Sequence, residues 1–356
     1  MKGLAVCFEG VENIAAKEIE EIIGVKAEAK KNSVVFEIEE LDDLCLLSYK
    51  AQSVNKILLL MGNFEIKEIE ELKKIEEIDF SDFMEGKRFA VRTLVLDDLN
   101  SQEVASETGR YIDGKVNLDR PDVVVFNLIV EGMCYIGIDF SGDISKRGYK
   151  NFSHYSDLKG PIAYSLLRKV GFTGKESLLD PFCSNGTIVL EAGYMGGKIP
   201  ITYFEREEFP FLKFMDYDFE EKKEVEKLKI FGIDDQLKNI RAASANAKIG
   251  GIDNAVEFSK AEVDMVDTLF KKKEIDLIAS NPPRLSKKVD EKRLERLYKE
   301  FFHQAEYVLK GKIGLISDER TAEFFRKIGS EYFKVEEEHD VKQGKEVLKI
   351  VVFGKG

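Results

Sequence analysis

The stretch Leu178-Leu179-Asp180-Pro181-Phe182-Cys183-Ser184-Asn185-Gly186-Thr187 decides how this chain is read. An apolar run ends in an acidic residue and turns through small residues into a second apolar run, Thr187 to Tyr194, with helical spacing. In an open α/β sheet, ligands sit at the carboxyl ends of the strands, where such a turn lets backbone amides approach them. Asp180, Pro181, Phe182, Cys183, Ser184, Asn185, Gly186 and Thr187 are therefore candidate ligand-binding residues. The turn lacks GxGxxG, so a dinucleotide site is poorly supported. Taken alone, the run also reads as an ordinary strand-to-helix turn.

Outward from that turn, strands and helices alternate. Pro161 suits the first residue of a helix running to Lys169, because its missing amide costs nothing there. Downstream come a strand at Lys229–Ile233, a helix at Leu237–Lys248, strands at Val256–Lys260 and Ile275–Ser280, a long helix at Lys288–Leu309 and a strand at Lys312–Ser317. That alternation predicts an α/β fold with a parallel, doubly wound sheet. The end differs: Phe333–His339 and Glu346–Phe353 flank Gln343-Gly344 and predict an antiparallel hairpin.

Each strand end carries a polar group that could face a ligand. Asp234 closes Phe231-Gly232-Ile233-Asp234, and a carboxylate there can accept both hydrogen bonds of a ribose diol. A helix cap is the competing role, better suited to Asp235. Glu262 follows the third strand and can accept from an exocyclic amino group, or be merely solvated. The fourth strand ends in Asn281-Pro282-Pro283-Arg284. Two prolines fix an extended backbone and remove two amide donors, leaving the Pro282 carbonyl and the Asn281 side-chain oxygen as neighbouring acceptors. Such a pair suits an amino group whose nitrogen lone pair must be presented to an electrophile.

Upstream, residues 1–62 read strand, helix, strand, helix, strand: Leu4–Glu9, a helix from Asn13 to Gly24, Ser33–Glu39, Leu41–Tyr49 and Val54–Met61. After the charged segment Glu65 to Glu85 come a strand at Arg88–Leu96, a helix at Ser101–Ile112 and a hairpin of Asp122–Val130 and Met133–Phe140 turning at Glu131-Gly132. A length of 356 residues fits two or three domains. Four scattered cysteines without a CxxC pair fit neither a disulfide framework nor a metal site, and they suggest a reducing cytoplasm. The apolar runs near the start are far shorter than the ~20 residues of a membrane span, so no membrane partner is expected.

The order of Asp180-Pro-Phe-Cys, Asp234 and Asn281-Pro-Pro resembles the catalytic domain of THUMP-domain RNA methyltransferases. Phe89-Ala-Val-Arg92, Ser101-Gln-Glu103, Val116-Asn-Leu-Asp-Arg-Pro-Asp122 and Tyr135-Ile-Gly-Ile-Asp139 follow the order of a THUMP domain, and Lys146-Arg147-Gly148-Tyr149 matches the basic exit from it. The resemblance implies a ferredoxin-like α+β module over 1–62, a THUMP RNA-binding domain over 63–142, a basic linker over 143–158 and a class I, Rossmann-like methyltransferase domain over 159–356. It implies S-adenosylmethionine as cofactor, its methionine part held by Asp180 to Thr187, its ribose by Asp234 and its adenine by Glu262. Asn281 and the Pro282 carbonyl would hold a guanine N2 amino group of tRNA. Arg284 stands where the family has an aromatic residue that stacks on the target base, and a guanidinium plane can stack too. No covalent nucleophile or metal is required, since orientation and proximity carry the displacement.

The formal charge of −12 speaks against a polyanionic partner only on average. Residues 143–170 carry 6 basic and 2 acidic groups, and 284–299 carry 7 and 3. Lys146, Arg147, Lys287, Lys288 and Arg293 in these stretches, and Arg92 in the THUMP-like run, are the expected RNA contacts, and the resemblance implies the tRNA acceptor region as partner and disfavours DNA. Two readings stay open beside tRNA guanine-N2 methylation: a noncatalytic RNA-binding protein that keeps the fold, and an enzyme acting on ribosomal RNA.

Overall fold

The computed structural model describes residues 1–153, 157–221, 225–286 and 290–355. Two compact units emerge. The first comprises 1–8, 12–145 and 202–221; the second comprises 9–11, 146–201 and 222–356.

The first unit is built on an eight-stranded sheet. In chain order its elements are β1 (Lys2–Val6), α1 (Glu12–Ile23), β2 (Ala27–Lys30), β3 (Ser33–Glu37), α2 (Asp42–Lys50), β4 (Lys56–Glu65), α3 (Ser81–Met84), β5 (Arg88–Val95), α4 (Ser101–Arg110), β6 (Lys115–Val116), β7 (Val123–Val130) and β8 (Met133–Asp139). The strand order is β2-β3-β1-β4-β8-β7-β5-β6. β4 runs across the boundary expected at residue 62 and pairs with β1 on one side and β8 on the other, so the two expected N-terminal modules share one sheet. The β7–β8 turn falls at Glu131-Gly132, both with positive φ, as a two-residue hairpin of matching twist requires. Asp97 accepts from both turn amides. Inside, the Glu18 carboxylate of α1 takes the amides of Gln52 and Ser53 and fastens the α2–β4 connection.

Residues 202–221 were expected inside the C-terminal domain; they group instead with the first unit. The segment holds Tyr203, Phe204, Phe209, Phe211, Phe214, Tyr217 and Phe219, far too apolar for a solvated loop. Phe211 is fully buried beside Phe140, and the Tyr49 hydroxyl donates to the Glu220 carbonyl across 2.7 Å.

The second unit runs α5 (Gly160–Val170), β9 (Leu178–Asp180), α6 (Thr187–Gly197), β10 (Ile230–Asp234), α7 (Leu237–Ile249), β11 (Glu257–Lys260), α8 (Val266–Leu269), β12 (Ile275–Ser280), α9 (Glu291–Val308), β13 (Leu309–Asp318), α10 (Glu319–Gly329), β14 (Lys334–Gln343) and β15 (Glu346–Gly354). Its sheet has the order β11-β10-β9-β12-β13-β15-β14. The strands are parallel through β13, and the terminal hairpin is antiparallel, with β15 beside β13. β9 is central and wholly buried, which explains its unbroken apolar run. Because β9 lies between β10 and β12, the strand order reverses there, and this switch point is where open α/β sheets bind ligands. No helix among the described residues is long and apolar enough to cross a membrane.

Candidate active site

The site grows from the end of β9. Asp180 is 1% exposed, and its carboxylate accepts from the Phe182 amide at 3.1 Å and from the Ser280 hydroxyl at 2.5 Å. Beyond it the chain curls tightly. Cys183 N donates to the Ile233 carbonyl, Gly186 N to the Cys183 carbonyl, and Ser184 N to Asp234 Oδ2 at 3.0 Å. The left-handed positions are Ser184, at φ 48°, and Gly186, at φ 89°. Each serves close packing. A Cβ on Gly186 would press on Ala243 and Phe258, and the strained Ser184 backbone aims its amide at Asp234.

Asn185 ties the turn to the segment that precedes α5. Its side chain is buried and donates to the Phe152 carbonyl at 3.0 Å and to the Asp157 carboxylate, while Thr187 Oγ1 donates to its Oδ1. Asn246, buried on α7, reaches the Asn185 carbonyl and both main-chain groups of Phe152. The Asp157 carbonyl accepts in turn from Gln343 in the terminal hairpin, and Gln343 takes the Lys159 amide. Phe152 and Asp157, before α5, are thus strapped to the turn, and Phe152 is 51% exposed.

Asp234 bridges two elements. Oδ2 receives Ser184 N, and Oδ1 receives Gln236 N and Asn239 Nδ2, each at 2.9 Å, so it steadies the start of α7 as well as the turn. Glu262 is exposed after β11, beside the Ala261 amide that donates to the Asp234 carbonyl.

At the end of β12, Asn281 is half-buried with its side-chain oxygen enclosed, and Pro282 is buried. The Pro283 carbonyl accepts from the fully buried Tyr298 hydroxyl of α9 at 2.5 Å, and Leu285 N donates to Thr321 Oγ1. Arg284 donates to Glu346 at 2.5 Å and lies 4.0 Å from Asp318. Its guanidinium turns toward the end of β13 and the start of β15, where these two carboxylates lie.

Burial pushes the Asp180 carboxyl up to about 7, assisted by the nearby Asp234 charge, and burial raises Asp234 also. Neither is ion-paired to a cation among the described residues. Two such carboxylates at the ends of adjacent strands suit a ligand that brings its own positive charge and a diol, as S-adenosylmethionine does. Cys183 is buried and its thiol is held well above its ordinary value by burial, so it is a packing residue rather than a nucleophile.

The expected RNA contacts separate. Arg92, Lys146 and Arg293 are exposed, although one Arg92 nitrogen donates to the Leu118 carbonyl. Lys287 and Lys288 lie outside the described residues. Arg147 is a correction: it is 7% exposed and forms a two-pronged ion pair with Glu191 of α6, at 2.7 and 3.1 Å, which the Tyr149 hydroxyl joins. A Cβ on Gly160 would strike both partners, so the pair is also sterically enclosed. Glu191 is the only charged residue of α6, and a lone charge in so apolar a helix was the signal for a buried partner. Ser280, Asn246, Asp157 and Tyr298 carried no comparable signal.

Residues 147–347 match the UPF0020 family model, described as "RMKL-like, methyltransferase domain". The chain is 30% identical to the tRNA (guanine(6)-N2)-methyltransferase of Methanocaldococcus jannaschii, over 94% of this chain and 95% of that protein. It is 28% identical to the tRNA (guanine(6)-N2)-methyltransferase of Archaeoglobus fulgidus, over 98% and 91%. A solved structure of a possible methylase from Clostridium difficile 630 shares the fold, with a TM-score of 0.79 at 21% identity, covering 100% of this chain and 98% of that one. With its strand ends, turn and terminal hairpin in this arrangement and more than half its length matched, the chain belongs to the RMKL-like methyltransferase family.

Proposed function

We propose that this protein transfers the methyl group of S-adenosylmethionine to the exocyclic N2 of a guanine in tRNA, guanine 6 being the first position to test. The observation that carries this reading is the convergence of Asp180, Asp234 and Asn281-Pro282 at the carboxyl ends of β9, β10 and β12. Two relatives of nearly the same length bear that activity in their names.

Asp180 and the turn to Thr187 hold the methionine portion, Asp234 the ribose and Glu262 the adenine. When bound, the cofactor supplies an electrophilic sulfonium methyl. The Pro282 carbonyl, together with Asn281 Oδ1 once that side chain turns out of its enclosed position, accepts the two amino hydrogens and turns the nitrogen lone pair toward that methyl. The prolines keep this pair of acceptors rigid, and the Tyr298 bond to the Pro283 carbonyl steadies the next peptide. A guanine amino group reaches such acceptors only when single-stranded or flipped out of a helix. Exposed Arg92, Lys146 and Arg293 supply phosphate contacts, and a THUMP fold within the first unit, preceded by a ferredoxin-like module, directs the acceptor region of tRNA to the site.

The test is incubation with labelled S-adenosylmethionine and total RNA, followed by nucleoside analysis. N2-methylguanosine in the tRNA fraction, lost in Asn281→Ala, is the expected result. Label confined to ribosomal RNA would move the substrate, and no label in any RNA would sink the proposal.

A further inference from the structure

Ser280 ends β12 and immediately precedes Asn281. It is fully buried, and its hydroxyl donates to Asp180 Oδ1 from the neighbouring strand, across the switch point of the sheet. The other groups that face Asp180 are the Phe182 amide, the Asp234 carboxylate at the end of β10 and the Cys183 thiol in the turn. Of these, only the Phe182 amide and the Ser280 hydroxyl favour the ionised carboxylate; burial and Asp234 oppose it.

We infer that Ser280 is a positioning residue that sets the charge of Asp180, so that the strand end bearing Asn281 also governs how tightly the cofactor is held. This rests on the cofactor reading above. A hydrogen bond donated to a carboxylate stabilises its ionised form, and the ammonium of the cofactor's methionine portion favours that form as well. With Asp180 titrating near neutrality, affinity should rise as pH rises through about 7 and level off above it. Without the Ser280 donor the same rise should come at higher pH. The loss would then be large on the acid side and vanish on the alkaline side, a pattern that simple misplacement of the strand end would not give.

The test is calorimetric titration of the full chain with S-adenosylhomocysteine from pH 5.5 to 8.5, for the unaltered protein, Ser280→Cys and Ser280→Thr. Cysteine keeps the volume but is a weak donor; threonine keeps the hydroxyl. Ser280→Cys should bind about tenfold more weakly at pH 6.5 and within about twofold of the unaltered protein at pH 8.5, the loss of one hydrogen bond to a charged group. Ser280→Thr should follow the unaltered curve. Uniform weakening of Ser280→Cys at every pH, or a Ser280→Thr that behaves like it, would overturn the inference. Should either variant fail to melt cooperatively, Asp180→Asn serves: its binding should lose the pH dependence, and a retained dependence counts against the proposal. Binding by the unaltered protein at no pH removes the cofactor reading itself, and the role of Ser280 with it.

Discussion

Asn246 grips the main chain of Phe152 from both sides, donating through Nδ2 to its carbonyl at 2.9 Å and accepting its amide at Oδ1 at 3.0 Å. A side-chain amide is the group that can do both at once. Through its third bond, to the Asn185 carbonyl, it couples the strap before α5 to the candidate cofactor turn.

Asn246→Ala should therefore loosen the strap and the turn together. Loss of the buried hydrogen bonds should lower stability by about 1–3 kcal/mol in urea denaturation. Affinity for S-adenosylhomocysteine should fall in parallel, and unchanged affinity would separate the strap from the cofactor site. Asn246→Asp should be no better, because a carboxylate cannot donate to the Phe152 carbonyl.

Removing one partner of the Arg147–Glu191 pair strands a charge in the interior. Arg147→Met or Glu191→Leu alone should cost about 3–5 kcal/mol, whereas the double variant should lose clearly less than the sum. Denaturation midpoints of the three variants give the comparison, and strict additivity would contradict the buried pairing.

Asp180 also leaves a signature on stability. Burial holds its folded carboxyl up at about 7, against ~3.9 in the unfolded chain, so folding favours the protonated form. That contribution is complete below the unfolded value and is lost as pH rises through the folded one. Ligand-free Asp180→Asn should accordingly lose less stability between pH 5 and pH 8 than the unaltered protein. Parallel stability curves would mean that Asp180 is not buried as described.

For RNA the distinction lies between neighbours. Lys146→Ala and Arg293→Ala should each weaken tRNA binding and reduce the slope of log affinity against log salt by about one, the mark of a lost phosphate contact. Filter binding across a salt series would detect it; an unchanged slope removes that residue from the interface.

Much of this was legible in residues. β12 has the bounds that its apolar run between Glu274 and Asn281 predicts, and the hairpin signal of Gln343-Gly344 places β14 and β15. β2 went unread because Ala-Glu-Ala-Lys has little strand propensity and exists as the edge partner of β3. α10 was readable from Ala322, Phe325 and Ile328 at helical spacing behind the Asp318 cap, and the sequence reading leaves it out. Arg147 could not be told from Lys146 by charge alone; burial separates them, and burial is decided by Glu191, 44 residues away. Ser280 likewise gains meaning only when the sheet order sets β12 beside β9.

Residues 202–221 give this chain an unusual order of completion during synthesis. The first 145 residues leave the ribosome without Phe209 and Phe211, which are part of their own hydrophobic core. The core of the first unit therefore gains its last aromatic side chains only when residues 202–221 are out. By then α5, β9 and α6 have also emerged, still lacking the strands that will flank β9. The first unit is complete in sequence at residue 221 and can close before β10 is made, whereas the second has to wait for β15.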